Sequence, residues 1–166
     1  MATTAAGTPY VESSDLVANY PGVSLALANH IDDTGGKVLQ VIRATDSTER
    51  STTSATFVDA SLSVTITPQS TTNQVLLMCN FFARTTGYSR WQITDSSNNP
   101  ISGAETSLIG TNGSIGMYVP FTLVAFASPA TITAVTFKLR FRAQTGTTVM
   151  ENDEATAQLY AIEVAA

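Results

Sequence analysis

The chain has 166 residues, a formal net charge of −5, 43% hydrophobic residues and only 13% charged residues. Its length fits one compact domain with an appendage, and its charged fraction lies well below the usual quarter. The acidic balance excludes broad attraction to nucleic acid, and no apolar run approaches the roughly 18 residues of a membrane span. A surface built from Thr, Ser, Asn and Gln is typical of all-β proteins and of chains that bury surface against their own copies.

Residues 1–36 form a distinct N-terminal part, predicted to be an extended arm followed by helical turns. Ser13 or Ser14 caps the stretch SDLVANY, and Pro21 interrupts this helix but suits the first turn of the next one. In PGVSLALANHIDD an apolar stripe recurs every four residues, and the pair GG then ends the helix. The start MATTAAGTPY lacks the basic residues and apolar core of a signal peptide, so we expect synthesis in a cytoplasm.

From residue 37 to residue 166 the period changes to that of β-strands. SLSVTIT alternates apolar with hydroxyl side chains, as a half-buried strand does, and about eight to ten such segments follow one another. No helical period occurs among them. The sequence therefore predicts a mainly β protein, an antiparallel β-sandwich with jelly-roll-like topology after a short N-terminal helical segment.

One predicted strand, NQVLLMCNFFART, is apolar on both of its faces. Cys79, the single cysteine, shares the first face with other apolar side chains, and we expect it to be a buried hydrophobe and not a reactive thiol. The second face carries Leu76, Met78 and Phe82. An antiparallel strand normally turns one face to water, so these three residues indicate a partner subunit or a central position in the sheet.

The chemistry-bearing residues do not combine into a catalytic or metal site. His30 is the only histidine, which excludes a zinc site built on several histidines, and the cluster ENDE lacks the ligand spacing of a calcium loop. We expect Glu151, Asp153 and Glu154 to be solvated or to pair with Arg140 and Arg142. We predict neither an enzyme nor a cofactor.

Polar loops are the candidate places for contacts with a receptor. GYSRWQ places two aromatic residues beside a turn, where they could stack on a sugar, although core packing is the alternative for the tryptophan. GTNGSIG lacks the lysine and helix of a phosphate loop and is predicted to be a surface turn. The candidate receptor contacts from these loops are Tyr88, Arg90, Trp91 and Asn112.

Two stretches resemble known virion proteins. SSDLVANYPGVSLALANHID resembles the N-terminal segment of small fibre and tail proteins of tailed bacteriophages. GGKVLQVIRATDSTERSTTSATFVDASLSVTITPQSTTNQVLLM resembles the opening of a β domain that recurs in phage tail fibres and other virion appendages. Together the two stretches cover residues 13–78.

The resemblance implies a virion protein, made in the cytoplasm of a host bacterium, whose β domains form a homotrimeric knob. Its N-terminal segment would bind other virion proteins of the tail, portal or capsid, and its knob would attach to the host surface, with a cell-surface glycan as one candidate receptor. The residues that this implies for virion anchoring are Leu16, Val17, Tyr20, Pro21, Val23, Leu27 and Ile31.

The sequence differs from those of long fibres in one respect: no shaft or coiled coil is predicted between residue 36 and the β domain. A knob held close to the particle raises the alternative of a capsid decoration or cement protein. A polysaccharide-degrading tailspike fragment and a cellular lectin are further alternatives. The first requires converging carboxylates that the sequence does not indicate, and the second leaves the helical segment unexplained.

Overall fold

The chain divides into two compact units, Met1–Lys37 and Val38–Ala166. The computed structural model describes residues 2–3, 9–10, 24–27, 38–104, 107–110 and 116–166. In the first unit, β1 (Ala2–Thr3) pairs antiparallel with β2 (Pro9–Tyr10), and residues 24–27 are helical. Of the residues predicted to anchor the chain to a virion, only Leu27 lies within the described residues, where it belongs to this helical turn and is half-buried.

In residues 38–104, 107–110 and 116–166 the second unit contains ten strands, all paired antiparallel. They are β3 (Val38–Asp46), β4 (Arg50–Thr52), β5 (Val58–Ile66), β6 (Gln74–Thr85), β7 (Tyr88–Asp95), β8 (Ser107–Gly110), β9 (Met117–Ala127), β10 (Val135–Ala143), β11 (Thr148–Met150) and β12 (Ala157–Val164). The prediction of a mainly β chain with a short N-terminal helical segment is confirmed.

The strand order is that of a jelly roll. One sheet has the order β5-β10-β7-β8. In the other, β12 lies between β3 and β6, and β9 pairs with the opposite edge of β6. The short strand β11 pairs with β6 at residues 83–85 and with β4 on its other side. In the sheet, β11 therefore follows β12 along β6, and β4 follows β3. The predicted antiparallel sandwich with jelly-roll-like topology is therefore confirmed.

The core lies between the two sheets and follows the alternation of each strand. In β5, Leu62, Val64 and Ile66 are buried, whereas the serine and threonine residues between them are exposed. Cys79 is fully buried among apolar side chains, and this burial raises the pKa of its thiol. The interpretation of Cys79 as a buried hydrophobe is confirmed.

Aromatic side chains fill the centre of the core. Trp91 is fully buried, stacks on Phe141 with ring centroids 5.0 Å apart, and lies 4.4 Å from the ring of Phe81. Its Nε1 donates a hydrogen bond of 3.0 Å to Oγ of Ser89, so the polar end of the indole is satisfied inside the protein.

A buried carboxylate joins three segments at one end of the sandwich. Glu163 on β12 is fully buried, and its Oε1 accepts hydrogen bonds of 2.7 Å from the backbone N of Gln69 and from Nδ2 of Asn73. Its Oε2 accepts a bond of 2.5 Å from Nε2 of Gln40 on β3. Burial raises the pKa of Glu163, but the hydrogen bonds outweigh it and hold the pKa below its ordinary value.

Candidate functional site

The outer side of the sheet that contains β6 carries a continuous group of apolar side chains, which we call the apolar face. Strand register brings them together: Leu76 of β6 lies between Ile162 of β12 and Phe126 of β9, and Met78 lies between Tyr160 and Val124. The members of the apolar face are Val41, Leu76, Met78, Val124, Phe126, Tyr160 and Ile162.

Several of these side chains are unusually open to solvent. Val41 is 55% exposed, Val124 is 49%, Phe126 is 46% and Met78 is 39%. With strands about 4.8 Å apart and about 3.4 Å per residue, the two rows of the apolar face on four strands cover about 260 Å². Exposed apolar patches of a few hundred Å² are often functional, and this one would form part of the roughly 800 Å² that each partner contributes to a standard interface.

Toward the far end of β6, the exposed polar pair Asn80 and Thr122, joined by a hydrogen bond of 3.0 Å, separates the apolar face from a second aromatic group. The ring of Phe82 lies 6.1 Å from that of Tyr118, and the guanidinium of Arg84 lies 5.6 Å from the centre of the Tyr118 ring. Arg84 also forms an ion pair with Glu151, so its charge is compensated within the chain. The three residues predicted for a subunit interface, Leu76, Met78 and Phe82, therefore all lie on one outward side of β6, where the first and last are half-buried.

Sequence reasoning missed the contribution of the neighbouring strands. Tyr118, Val124 and Phe126 lie on β9, and the stretch MYVPFTLVAFA is apolar at both sets of alternating positions, just as VLLMCNFF is. This pattern in the sequence could have identified β9 as part of the apolar face. Val41 stands in an edge strand whose position beside β12 becomes evident only from the pairing.

The outer side of the second sheet, which we call the polar face, has the opposite character. Thr65 of β5 and Thr136 of β10 pair across the sheet through hydroxyl groups 2.8 Å apart, and Ser63 lies opposite Lys138. Serine, threonine and basic residues are what an antiparallel sheet presents to water. The two outer sides of one sandwich are therefore chemically different, and only one of them resembles a solvent-facing surface.

The two arginines of β10 donate to backbone oxygens and not to the acidic cluster. Arg140 donates to the carbonyl of Phe57 at 2.7 Å, and Arg142 donates to the carbonyl of Ala55 at 2.9 Å. Of the two alternatives for ENDE, pairing with these arginines is wrong, because Glu151 lies at the other sheet and pairs with Arg84, whereas Asp153 and Glu154 are exposed as the solvated alternative expects.

The candidate receptor contacts do not form one platform. Trp91 offers no surface to a receptor because it is buried in the core, so this part of the prediction is wrong and the core-packing alternative holds. The ring of Tyr88 packs against Gly110. Nε of Arg90 donates to Oε1 of Gln144 at 2.7 Å, and Asn112 lies outside the described residues.

One acidic group could in principle hold a cation. Carboxylate oxygens of Glu49, Glu151 and Asp153 lie within 4.8 Å of one another. Glu151 is already paired with Arg84, and the other two carboxylates are exposed. We therefore assign no metal to these carboxylates.

The chain matches no known protein-family model, and no curated protein sequence matches it. None of the helical residues that the structure describes belongs to a segment long and apolar enough to cross a bilayer. The function is therefore argued from the contrast between the apolar face and the polar face.

Proposed function

We propose that the chain is a non-enzymatic structural protein of a tailed-bacteriophage virion: a short homotrimeric knob, joined to the particle through residues 1–36 and used in attachment to the host surface. The observation that carries the oligomeric part is the apolar face on one side of an otherwise polar sandwich. The phage context rests on the resemblance of residues 13–78 to virion appendages.

Three copies that turn their apolar faces to a common axis would each contact both neighbours. Covering about 260 Å² of apolar surface at about 25 cal/mol per Å² contributes about 6.5 kcal/mol per subunit. This lies within the roughly 4–15 kcal/mol that association costs in lost freedom of motion. Closed symmetry also removes the face from water without leaving a surface on which further copies could add.

The edge of β9 favours contact through side chains over extension of the sheet. The backbone N of Phe126 donates to the carbonyl of Ser102 at 3.3 Å, so this N–H points away from β6. Backbone N–H groups alternate in direction along a strand. The backbone nitrogens of Val124, Thr122 and Pro120 therefore point to the same outer edge as that of Phe126. Pro120 has no N–H to offer, which disfavours pairing with a strand of another copy.

A capsid decoration or cement protein is the second candidate. The absence of a linker in the sequence favours this candidate, since the first unit ends at Lys37 and β3 begins at Val38. A knob held this close to the particle could clamp neighbouring shell proteins. The number of copies per particle separates the two: copies that match the capsid lattice would support the cement protein and contradict the attachment knob.

Deleting residues 1–34 is expected to leave the β unit folded and trimeric but to stop it from joining virions. The reason is that the deletion removes the predicted anchor and leaves all ten strands of the second unit intact. The measurement is the amount of the chain in purified particles, after complementation of a phage that lacks it, with the full chain supplied in parallel as the control. Incorporation of the truncated chain at the level of the full chain would refute the anchor.

A further inference from the structure

The polar face carries a concentration of positive charge. Register places Arg90 of β7 directly opposite Arg142 of β10, and Arg140 and Lys138 occupy the alternate positions of β10 that share this side of the sheet. We call these four residues the basic row. With about 3.4 Å per residue, the row extends about 14 Å along β10. It holds four of the 8 lysine and arginine residues of a chain whose net charge is −5.

The carboxylates that adjoin the basic row do not neutralise it. Both ion pairs found among the described residues involve other arginines. Asp59, opposite the row in register, accepts from the backbone N of Ser61 at 2.7 Å, and Asp95 accepts from that of Ser97 at 2.8 Å. Burial raises the pKa of Asp95, but hydrogen bonds and the charge of Lys138 outweigh it and hold the pKa below its ordinary value. Four cations against two carboxylates leave an excess of positive charge.

Two arginines of the row present their guanidinium groups in fixed positions. Nε of Arg90 donates to Oε1 of Gln144 at 2.7 Å, and Nη1 of Arg142 donates to the carbonyl of Ala55 at 2.9 Å and lies over the ring of Phe57. These neutral partners orient both groups without cancelling their charge, and no hydrogen bond among the described residues uses their other nitrogens. Like charges directly opposite each other on adjacent strands are destabilising, so a bound anion explains this pair better than the stability of the chain does.

Hydroxyl groups, and not open aromatic rings, accompany the basic row. Ser63 and Thr65 are exposed on the adjacent strand β5, and Thr65 shares a hydrogen bond of 2.8 Å with Thr136. Hydroxyls donate and accept, as the hydroxyl groups of a sugar do. Single-stranded nucleic acid is bound on aromatic rings on which its bases stack, whereas Phe57 and Tyr88 beside the row are both half-buried. The surroundings of the row therefore favour a glycan over a nucleic acid.

We propose that the basic row binds a linear anionic polysaccharide of the host surface, with its acid groups on the arginines and its hydroxyls on the adjoining serine and threonine residues. The proposal rests on the proposed attachment function, and it assigns the receptor class. The polar face lies across the core from the apolar face, so a contact between subunits through the apolar face leaves the row open. A guanidinium binds an acid group through two parallel hydrogen bonds, and three rows per knob would multiply a weak affinity into firm attachment.

The test titrates the full chain by calorimetry with a galacturonate hexamer, the neutral sugar maltohexaose and a deoxythymidine hexamer. The galacturonate hexamer is expected to bind, and more weakly when NaCl rises from about 50 mM to about 300 mM, because salt screens exposed charges. The double variant Arg90→Gln and Arg142→Gln is expected to bind it at least ten-fold more weakly. The matched control, Arg43→Gln and Arg50→Gln, removes the same charge from β3 and β4 outside the row and is expected to bind like the unmodified chain.

A further variant, Lys138→Gln, covers the case in which the double variant does not fold, and it is expected to weaken binding about three-fold. No binding of the galacturonate hexamer, equal binding of maltohexaose, tighter binding of the deoxythymidine hexamer, or binding that folded variants of the row leave unchanged would overturn the proposal. Particles that carry the double variant separate the two ideas. Normal incorporation with unaltered adsorption to host cells would refute the receptor assignment alone, whereas absence of the unmodified chain from virions would refute the proposed function.

Discussion

Replacing Met78 and Val124 together by glutamate is expected to convert the proposed trimer into folded monomers. The two residues are direct neighbours in the register of β6 and β9, and both are largely exposed in the single chain. The substitutions therefore leave the core between the sheets intact. In the trimer they would place two like charges, without partners, in an apolar contact, at a cost of several kcal/mol per subunit. Sedimentation velocity at about 10 μM measures the change.

The matched control is the pair Thr65→Glu and Thr136→Glu. These residues are also direct neighbours on adjacent strands, β5 and β10, but they lie on the polar face. This variant is expected to remain trimeric, because the polar face stays in water. A trimer that survives Met78→Glu and Val124→Glu would show that the apolar face is not the subunit contact.

Replacing Glu163 by alanine is expected to lower the free energy of unfolding by about 3 kcal/mol. The carboxylate is fully buried, and its removal leaves Gln69 N and Asn73 Nδ2 without this acceptor, whereas Nε2 of Gln40 keeps its bond to the carbonyl of Thr67. Each buried donor that loses its partner costs about 1–3 kcal/mol, although water that enters the new space recovers part of this. Urea unfolding at pH 7 measures the loss, and a change below about 1 kcal/mol would contradict the structural role of the network.

The same network makes stability depend on pH in a defined direction. The folded pKa of Glu163 lies below its ordinary value of 4.5, so its contribution is present above that value and is lost as the pH falls through the folded pKa. Stability should therefore fall less between pH 7 and pH 3 in Glu163→Gln than in the unmodified chain. Asp46 and Asp95 also have lowered pKa values, but they titrate in both proteins, and the comparison removes their effect. Equal slopes in the two proteins would refute the assignment.

Local alternation was sufficient to predict the strands and their inner faces. Leu62, Val64 and Ile66 alternate with hydroxyl residues, and a period of two assigns such residues to opposite faces without knowledge of the partner strands. The burial of Trp91 could have been derived in the same way, because it lies two residues from the apolar Ile93 on the inner side of β7.

Long-range pairing accounts for what the sequence left open. The apolar face arises because β3, β12, β6 and β9 become neighbours, and no local pattern states that order. Glu163 is separated from Gln40 by 123 residues and from Asn73 by 90, and Arg84 is separated from Glu151 by 67. The pair of Arg90 and Arg142 likewise depends on β7 lying beside β10. Spacing along the chain could not predict these contacts.

The central claim is that two further copies of the chain cover the apolar face. The most direct measurement is the mass of the full chain in solution, by size-exclusion chromatography with light scattering at micromolar concentration. The account predicts a single species at three times the 17.5 kDa of one chain. A clean monomer at 17.5 kDa would contradict it.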